Sequence, residues 1–176
     1  MKPRVATAWL NGCSGCHMSI LDMDERLVDL ADKLDLVYCP LIDIKEFPEN
    51  VDVTLVEGSV NNVDNEKEIH RIRERTKILI ALGDCAVTGN VPSMRNQFTQ
   101  NSVLQRAYAE QAALDKDIPH IVVPSLLPYA RPLHSIVKVD FFVQGCPPPA
   151  DVIHFVLTEL LEGRSPELTT LTRFGK

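Results

Sequence analysis

The chain has 176 residues, 18 Lys and Arg against 24 Asp and Glu, and a formal net charge of −6, with 45% hydrophobic and 24% charged residues. Such a length favours one domain that buries its own core, and such a composition excludes collagen, coiled coil and disordered tails. A mildly acidic surface offers nucleic acid no footprint, no apolar run reaches the length of a membrane span, and Met1-Lys2-Pro3-Arg4 starts neither a signal peptide nor a twin-arginine leader, so a cytoplasmic protein is expected.

Residues 5–10 read as a first strand. Beyond Gly12-Cys13-Ser14-Gly15-Cys16, the residues Ile20, Met23, Leu27, Leu30, Ala31 and Leu34 fall at helical spacing and predict one amphipathic helix. Residues 36–38 make a short strand ended by Pro40, residues 51–56 a third strand ended by Glu57-Gly58-Ser59, and residues 64–75 a helix with a charged face. Residues 77–82 are almost continuously apolar, as a central parallel strand is, and stop at Gly83-Asp84-Cys85. The pattern then blurs: a helix is expected within residues 102–114 and a short strand at 121–123. Pro124, Pro128 and Pro132 point to extended or turning backbone rather than regular structure. A last strand, 139–143, ends at Gly145-Cys146, and a helix over 150–161 starts just after three prolines. Strands alternating with helices predict an α/β protein with a parallel sheet covered on both faces.

The five cysteines are odd in number and sparse, which argues against a disulfide framework and for metal or redox chemistry. Cys13 and Cys16 follow the first strand, Cys85 the fourth and Cys146 the last. In an open parallel sheet those carboxyl ends share one edge, where ligands bind, so the four thiols can converge. Gly12, Gly15, Gly83 and Gly145 beside them permit close backbone approach. Four thiolates suit a four-iron four-sulfur cluster or a structural zinc. One local pair plus two single cysteines departs from the paired arrangement common for zinc, and Cys146-Pro147 is similar to the ending of ferredoxin cluster motifs. A third reading takes Cys13-x-x-Cys16 at a helix start as a stand-alone dithiol, which leaves Cys85 and Cys146 idle.

Cys39 reads as a buried core thiol. His17 either donates a hydrogen bond to a cluster sulfur or merely occupies the first helical turn. Glu57-Gly58-Ser59 lies on the functional edge or is a plain strand-to-loop turn. No G-x-G-x-x-G, P-loop or G-x-S-x-G pattern occurs, so the chain has no visible catalytic residue of its own.

Four motifs, taken together, resemble the small subunit of nickel-iron hydrogenases in order and flanks. They are Trp9-Leu10-Asn11-Gly12-Cys13-Ser14-Gly15-Cys16, Val56-Glu57-Gly58-Ser59-Val60, Ala81-Leu82-Gly83-Asp84-Cys85-Ala86, and Val139-Asp140 leading to Gly145-Cys146-Pro147-Pro148-Pro149. The likeness covers about residues 5–161 and is greatest to the cytoplasmic, bidirectional NAD-reducing type. It implies a single flavodoxin-like α/β iron-sulfur domain over residues 1–162, an open parallel sheet with helices on both faces, and a tail over 163–176. It also implies that Cys13, Cys16, Cys85 and Cys146 hold one 4Fe-4S cluster, relaying electrons between the nickel-iron centre of a large subunit and a diaphorase module that carries FMN and further iron-sulfur clusters and reduces NAD. The chain is then part of an enzyme without a complete active site. FMN is not expected in this chain, whose first loop offers only Ser14 where flavodoxins use several hydroxyls. Membrane-linked members add a domain for further clusters and start with a twin-arginine leader. Neither is visible here, so electrons are expected to leave through a partner. The homologous subunit of respiratory complex I has adjacent cysteines in the first motif, unlike Cys13-x-x-Cys16, but a complex I-like quinone-module subunit stays as an alternative.

Overall fold

A computed structural model describes residues 2–114 and 116–175; Met1 and Lys176, which the readings of the amino terminus and tail include, lie outside the described residues. Five parallel strands form the main sheet: β1 (Arg4–Trp9), β2 (Asp35–Tyr38), β3 (Val51–Glu57), β5 (Thr76–Leu82) and β7 (Phe141–Val143). Their order is β2-β1-β3-β5-β7. Counted within the sheet this is 2-1-3-4-5, the doubly wound flavodoxin-like order, whose switch point falls between β1 and β3.

The sequence of β5 shows why both faces are covered. Leu79 and Ala81 join a core on one face with Ile69 and Ile72 of α3 (Val63–Arg75) and with Leu133. Ile80 and Leu82 point the other way, into a second core with Val152, Ile153, Val156 and Leu157 of α7 (Ala150–Leu161) and with Met23 and Leu30. Alternate residues of a strand face opposite sides, so a strand apolar throughout must be buried on both. Helix α3 is started by the Asn62 side chain, which accepts from the Asn65 N–H at 2.8 Å, and is flanked by Asp64 and Glu66 in its first turn and Arg73 and Arg75 in its last. Those charges complement the helix dipole.

Three expectations are corrected. The single helix after Cys16 is two, α1 (Gly15–Leu21) and α2 (Arg26–Ala31), separated by turns in which Asp24 takes φ 49°. Apolar spacing continues across the break because both pieces pack on the same core. Residues 121–123 form no strand: Val122 is 99% exposed, and three β-branched residues with no neighbouring edge have nothing to pair with. Conversely, the proline-rich stretch does hold a strand, β6 (Leu126–Arg131), antiparallel to β4 (Val60–Asn62) in a separate two-stranded sheet. Proline is tolerated in such an edge ladder, where half the N–H groups face away from the partner. Between them, α4 (Asp84–Thr88), α5 (Asn90–Ser93) and α6 (Gln100–Leu104) are short, and a π-helical turn spans Gln105–Glu110. No described helix is long and apolar enough to cross a membrane.

Candidate functional site

The carboxyl ends of β1, β3, β5 and β7 lie side by side, and two pairs of loops are zipped together just beyond them. On one side the Leu10 N–H donates to the Glu57 carbonyl at 2.9 Å, while Asn11 and Ser59 exchange backbone hydrogen bonds of 3.0 and 2.8 Å. On the other, Gly83 donates to Val143 at 2.7 Å, Asp84 donates to the Gly145 carbonyl at 2.9 Å, and the Gly145 N–H returns to Asp84 Oδ1 at 2.8 Å. The first pair fixes the loop bearing Cys13 and Cys16, the second the turns bearing Cys85 and Cys146. The Ser19 hydroxyl of α1 donates to the Pro148 carbonyl, joining the first cysteine segment to the last.

These connections bring the four thiols into one electrostatic neighbourhood. Burial raises the proton affinity of the Cys16 thiol well above the ordinary range, helped by the negative charge of Glu57 and by Cys85, Cys13 and Cys146. Cys85 is pushed up to about 11 by burial, then Cys146, Cys13 and Glu57, against the opposing hydrogen bond from the Val91 N–H. Cys13 and Cys146 are exposed, so the group opens to the surface on one side. Two glycines make room for the sulfurs: a Cβ at Gly83 would overlap Cys16 Sγ, and one at Gly15 would lie 3.3 Å from Cys13 Sγ. Asn90 donates to Cys146 Sγ at 3.4 Å. Trp9, the sole tryptophan, is half exposed, with its indole N–H on the Gly12 carbonyl at 3.3 Å.

Among the described residues no three His, Cys, Asp or Glu side chains gather tightly enough to hold a single metal ion. Tetrahedral zinc would need thiolates about 3.8 Å apart, given its bond length to sulfur. A four-iron cluster, a cube with one thiolate on each iron, spreads its ligands over a wider cage, and four thiols are the donor set that such a cluster takes.

Of the two readings of His17, the place in the first helical turn holds, with a buried partner that neither reading named. Its Nδ1–H donates to Glu57 Oε2 at 2.6 Å, its backbone N–H donates to the same oxygen at 2.7 Å, and Nε2 lies 3.0 Å from Thr7 Oγ1. Both ring nitrogens are engaged, leaving none to donate to a sulfur. Glu57 itself is 2% exposed, a buried carboxylate at the end of a central strand rather than a plain turn residue. Its signal was visible as one charge closing an apolar run; its partner, 40 positions away, was not. Cys39 is buried as expected and accepts from the Leu41 N–H at 3.3 Å, away from the other thiols. A large apolar cavity of about 720 Å³ lies between α1, α2 and the β1–β2 edge, and none of the four grouped thiols lines it.

A doubly wound α/β domain that presents four cysteines at the carboxyl edge of its sheet defines a class of thiol-bearing flavodoxin-like subunits. The chain belongs to the NADH ubiquinone oxidoreductase 20 Kd subunit family, whose profile matches residues 13–160. Within it the likeness is to hydrogenase subunits. The chain is 42% identical over 168 residues to the NAD-reducing hydrogenase HoxS subunit delta of Cupriavidus necator, covering 93% of this chain and 80% of that protein. It is 40% identical over 169 residues to a vhu subunit of the F420-non-reducing hydrogenase of Methanocaldococcus jannaschii, covering 95% of this chain but only 59% of that longer protein. A chain in the crystal structure of an NAD+-reducing [NiFe]-hydrogenase in its H2-reduced state superposes with a TM-score of 0.94 at 39% identity over 99% of both chains. A [NiFeSe]-hydrogenase from Dm. baculatum shares the fold, with a TM-score of 0.59 at 17% identity over 99% of this chain and 70% of that one.

Proposed function

We propose that this chain is the electron-transfer small subunit of a cytoplasmic nickel-iron hydrogenase. In this reading Cys13, Cys16, Cys85 and Cys146 hold one 4Fe-4S cluster between the nickel-iron site of a large subunit and a diaphorase module, carrying FMN, that reduces NAD. The observation that carries the proposal is the delivery of four thiols by three strand ends to one edge of the sheet. The likeness to NAD-reducing hydrogenase subunits supports the choice of partners and acceptor.

The cluster would supply one-electron storage and transfer. The chain's own residues do the positioning. The zipped loops set the spacing of the cysteines, Gly83 leaves room for the Cys16 sulfur, and the exposed side at Cys13 and Cys146 faces the partner. Burial around Cys16 and the negative charge of the nearby Glu57 would each disfavour an added electron on a cluster held there, and so lower its potential. The dithiol reading fares worse, since it gives no role to Cys85 and Cys146, which lie in the same electrostatic neighbourhood as Cys13 and Cys16. The family description favours as a second reading a cluster-bearing subunit of a quinone-reducing module.

Anaerobic purification of the intact complex tests the proposal. The expected result is more than four irons and at least four sulfides per copy of this chain, copurification with a nickel-bearing subunit, and loss of hydrogen-dependent NAD reduction in Cys85→Ser and Cys146→Ser. Stoichiometric zinc without iron, or full activity in both variants, refutes it. Copurification with quinone-module subunits in place of a nickel protein establishes the second reading.

A further inference from the structure

Asp84 stands out among buried charged groups that the proposed function leaves unused. It is 1% exposed and directly precedes Cys85. Its carboxylate is satisfied by backbone N–H groups from two distant segments: Gly145 at 2.8 Å on Oδ1 and Gly175 at 2.7 Å on Oδ2. Gly145 adjoins Cys146. Gly175 belongs to the segment 164–175 that follows α7, anchored on the way by the buried Pro166 and by Leu168, which packs on the α7 core. The Asp84 backbone N–H is also used, on the Gly145 carbonyl at 2.9 Å. One residue therefore ties together the Cys85 turn, the Cys146 loop and a segment that the sequence presents as a plain tail.

We propose that Asp84 is a positioning residue for the cluster site. It locks the Cys85 turn to the Cys146 loop, two ligand segments separated by 60 residues of chain, and latches segment 164–175 beside them. This rests on the reading of the cysteines as cluster ligands. The physical argument has two parts. Hydrogen bonds to a charged acceptor are about twice as strong as neutral ones, and in a buried position nothing replaces them, so the spacing of the two loops depends on this carboxylate. A fixed negative charge one residue from a ligand also opposes the arrival of an electron, holding the cluster at a lower potential.

Asp84→Asn is nearly isosteric. Its amide oxygen can still accept one N–H, but its NH2 group cannot accept the other, and the charge is gone. Gly175→Pro removes the N–H that reaches Oδ2 and, because Gly175 takes φ 76°, a value closed to proline, also shifts the backbone there, while leaving the carboxylate and the Gly145 bond intact. Amide hydrogen exchange on the metal-free chain and a redox titration of the cluster in the purified complex, read by EPR, form the test. Expected for Asp84→Asn are exchange faster by about tenfold or more at residues 145–146 and 172–175, and a cluster midpoint shifted to a more positive value. Gly175→Pro is expected to speed exchange at 172–174 alone and to leave the midpoint where it was. Unchanged exchange at both segments in Asp84→Asn overturns the proposal, as does unchanged exchange at 172–174 in Gly175→Pro. Should Asp84→Asn fail to fold, Asp84→Glu, which keeps the charge but displaces both oxygens, is read in the same way at residues 145–146 and 172–175, and unchanged exchange at both segments overturns the proposal. A parent complex with no four-iron signal defeats the cluster reading instead, and exchange alone then rules on the role of Asp84.

Discussion

Replacing Gly83 by alanine tests the geometry of the thiol edge at its tightest point. Gly83 takes φ 81° and ψ 162°, a region that residues with a Cβ hardly enter, and an added methyl would overlap the Cys16 sulfur. The backbone strain costs about 1–3 kcal/mol, and driving the Cys16 side chain from its place adds about 1–3 kcal/mol of overpacking. Together these remove about 2–6 kcal/mol from a domain whose whole stability is of order 5–15 kcal/mol. Gly163→Ala is the control. It has a comparable φ of 74° but nothing within 4 Å of the added carbon, so only the backbone contribution, about 1 kcal/mol, applies. Urea unfolding of the metal-free variants gives the stabilities, and iron and sulfide content after anaerobic reconstitution gives the state of the site. Gly83→Ala is expected to be less stable than Gly163→Ala by the overlap contribution and any excess of backbone strain, and to bind less than a full complement of iron. Combining it with Cys16→Ala should recover the overlap contribution but not the backbone one, giving a coupling of about 1–3 kcal/mol. Equal stability of the two glycine variants, together with full iron content in Gly83→Ala, would refute the reasoning.

Two further outcomes concern polar groups around the sheet. His17→Ala leaves the buried Glu57 carboxylate without its imidazole partner and should destabilise the chain by about 3 kcal/mol in urea unfolding, since removing one member of a buried pair strands the other. Asp140 bears on acid stability. Burial raises the proton affinity of its carboxyl, but the Leu79 N–H, Arg73 and Lys138 outweigh this and hold it below the ordinary carboxylate range. A lowered value in the folded state means that the group stabilises the fold above about pH 4 and that this contribution fades as pH falls through the lowered value. Asp140→Asn should therefore lose about 2 kcal/mol at pH 7 and show a flatter decline of urea midpoint between about pH 4 and 2 than the parent.

Periodicity made much of the fold legible. The run at 77–82 announced a strand buried on both faces, and the packing of Leu79 and Ile80 into opposite cores is the direct consequence. The grouping of Cys13, Cys16, Cys85 and Cys146 followed from their positions just past strand ends, because topology alone sends those ends to one edge. Elements held by partners rather than by pattern were not legible. Strand β6 exists because β4 lies beside it, and Pro128 hides it from any propensity argument. The break between α1 and α2 leaves the apolar spacing intact, so periodicity cannot register it. At the site, the sequence marked the sulfurs but not the groups that orient them. His17 and Glu57 meet across 40 residues, and Asp84 reaches Gly175 across 91. Such long-range pairs between ordinary residue types leave no local trace.

The arrangement of the zipped loops also sets an order of events during synthesis. Cys13 emerges early, yet the fourth thiol lies 133 positions later and is placed by β7, a strand of three residues at the far edge of the sheet. Long-range pairing of so short a strand comes late, after β1, β3 and β5 have made their longer ladders. Until Cys146 has left the ribosome and β7 has docked on β5, the nascent chain offers three thiols on a half-built edge. In the proposed reading of the four thiols, a cluster that needs all of them would wait for a chain whose sheet is complete, and the site would serve as the checkpoint of that completion.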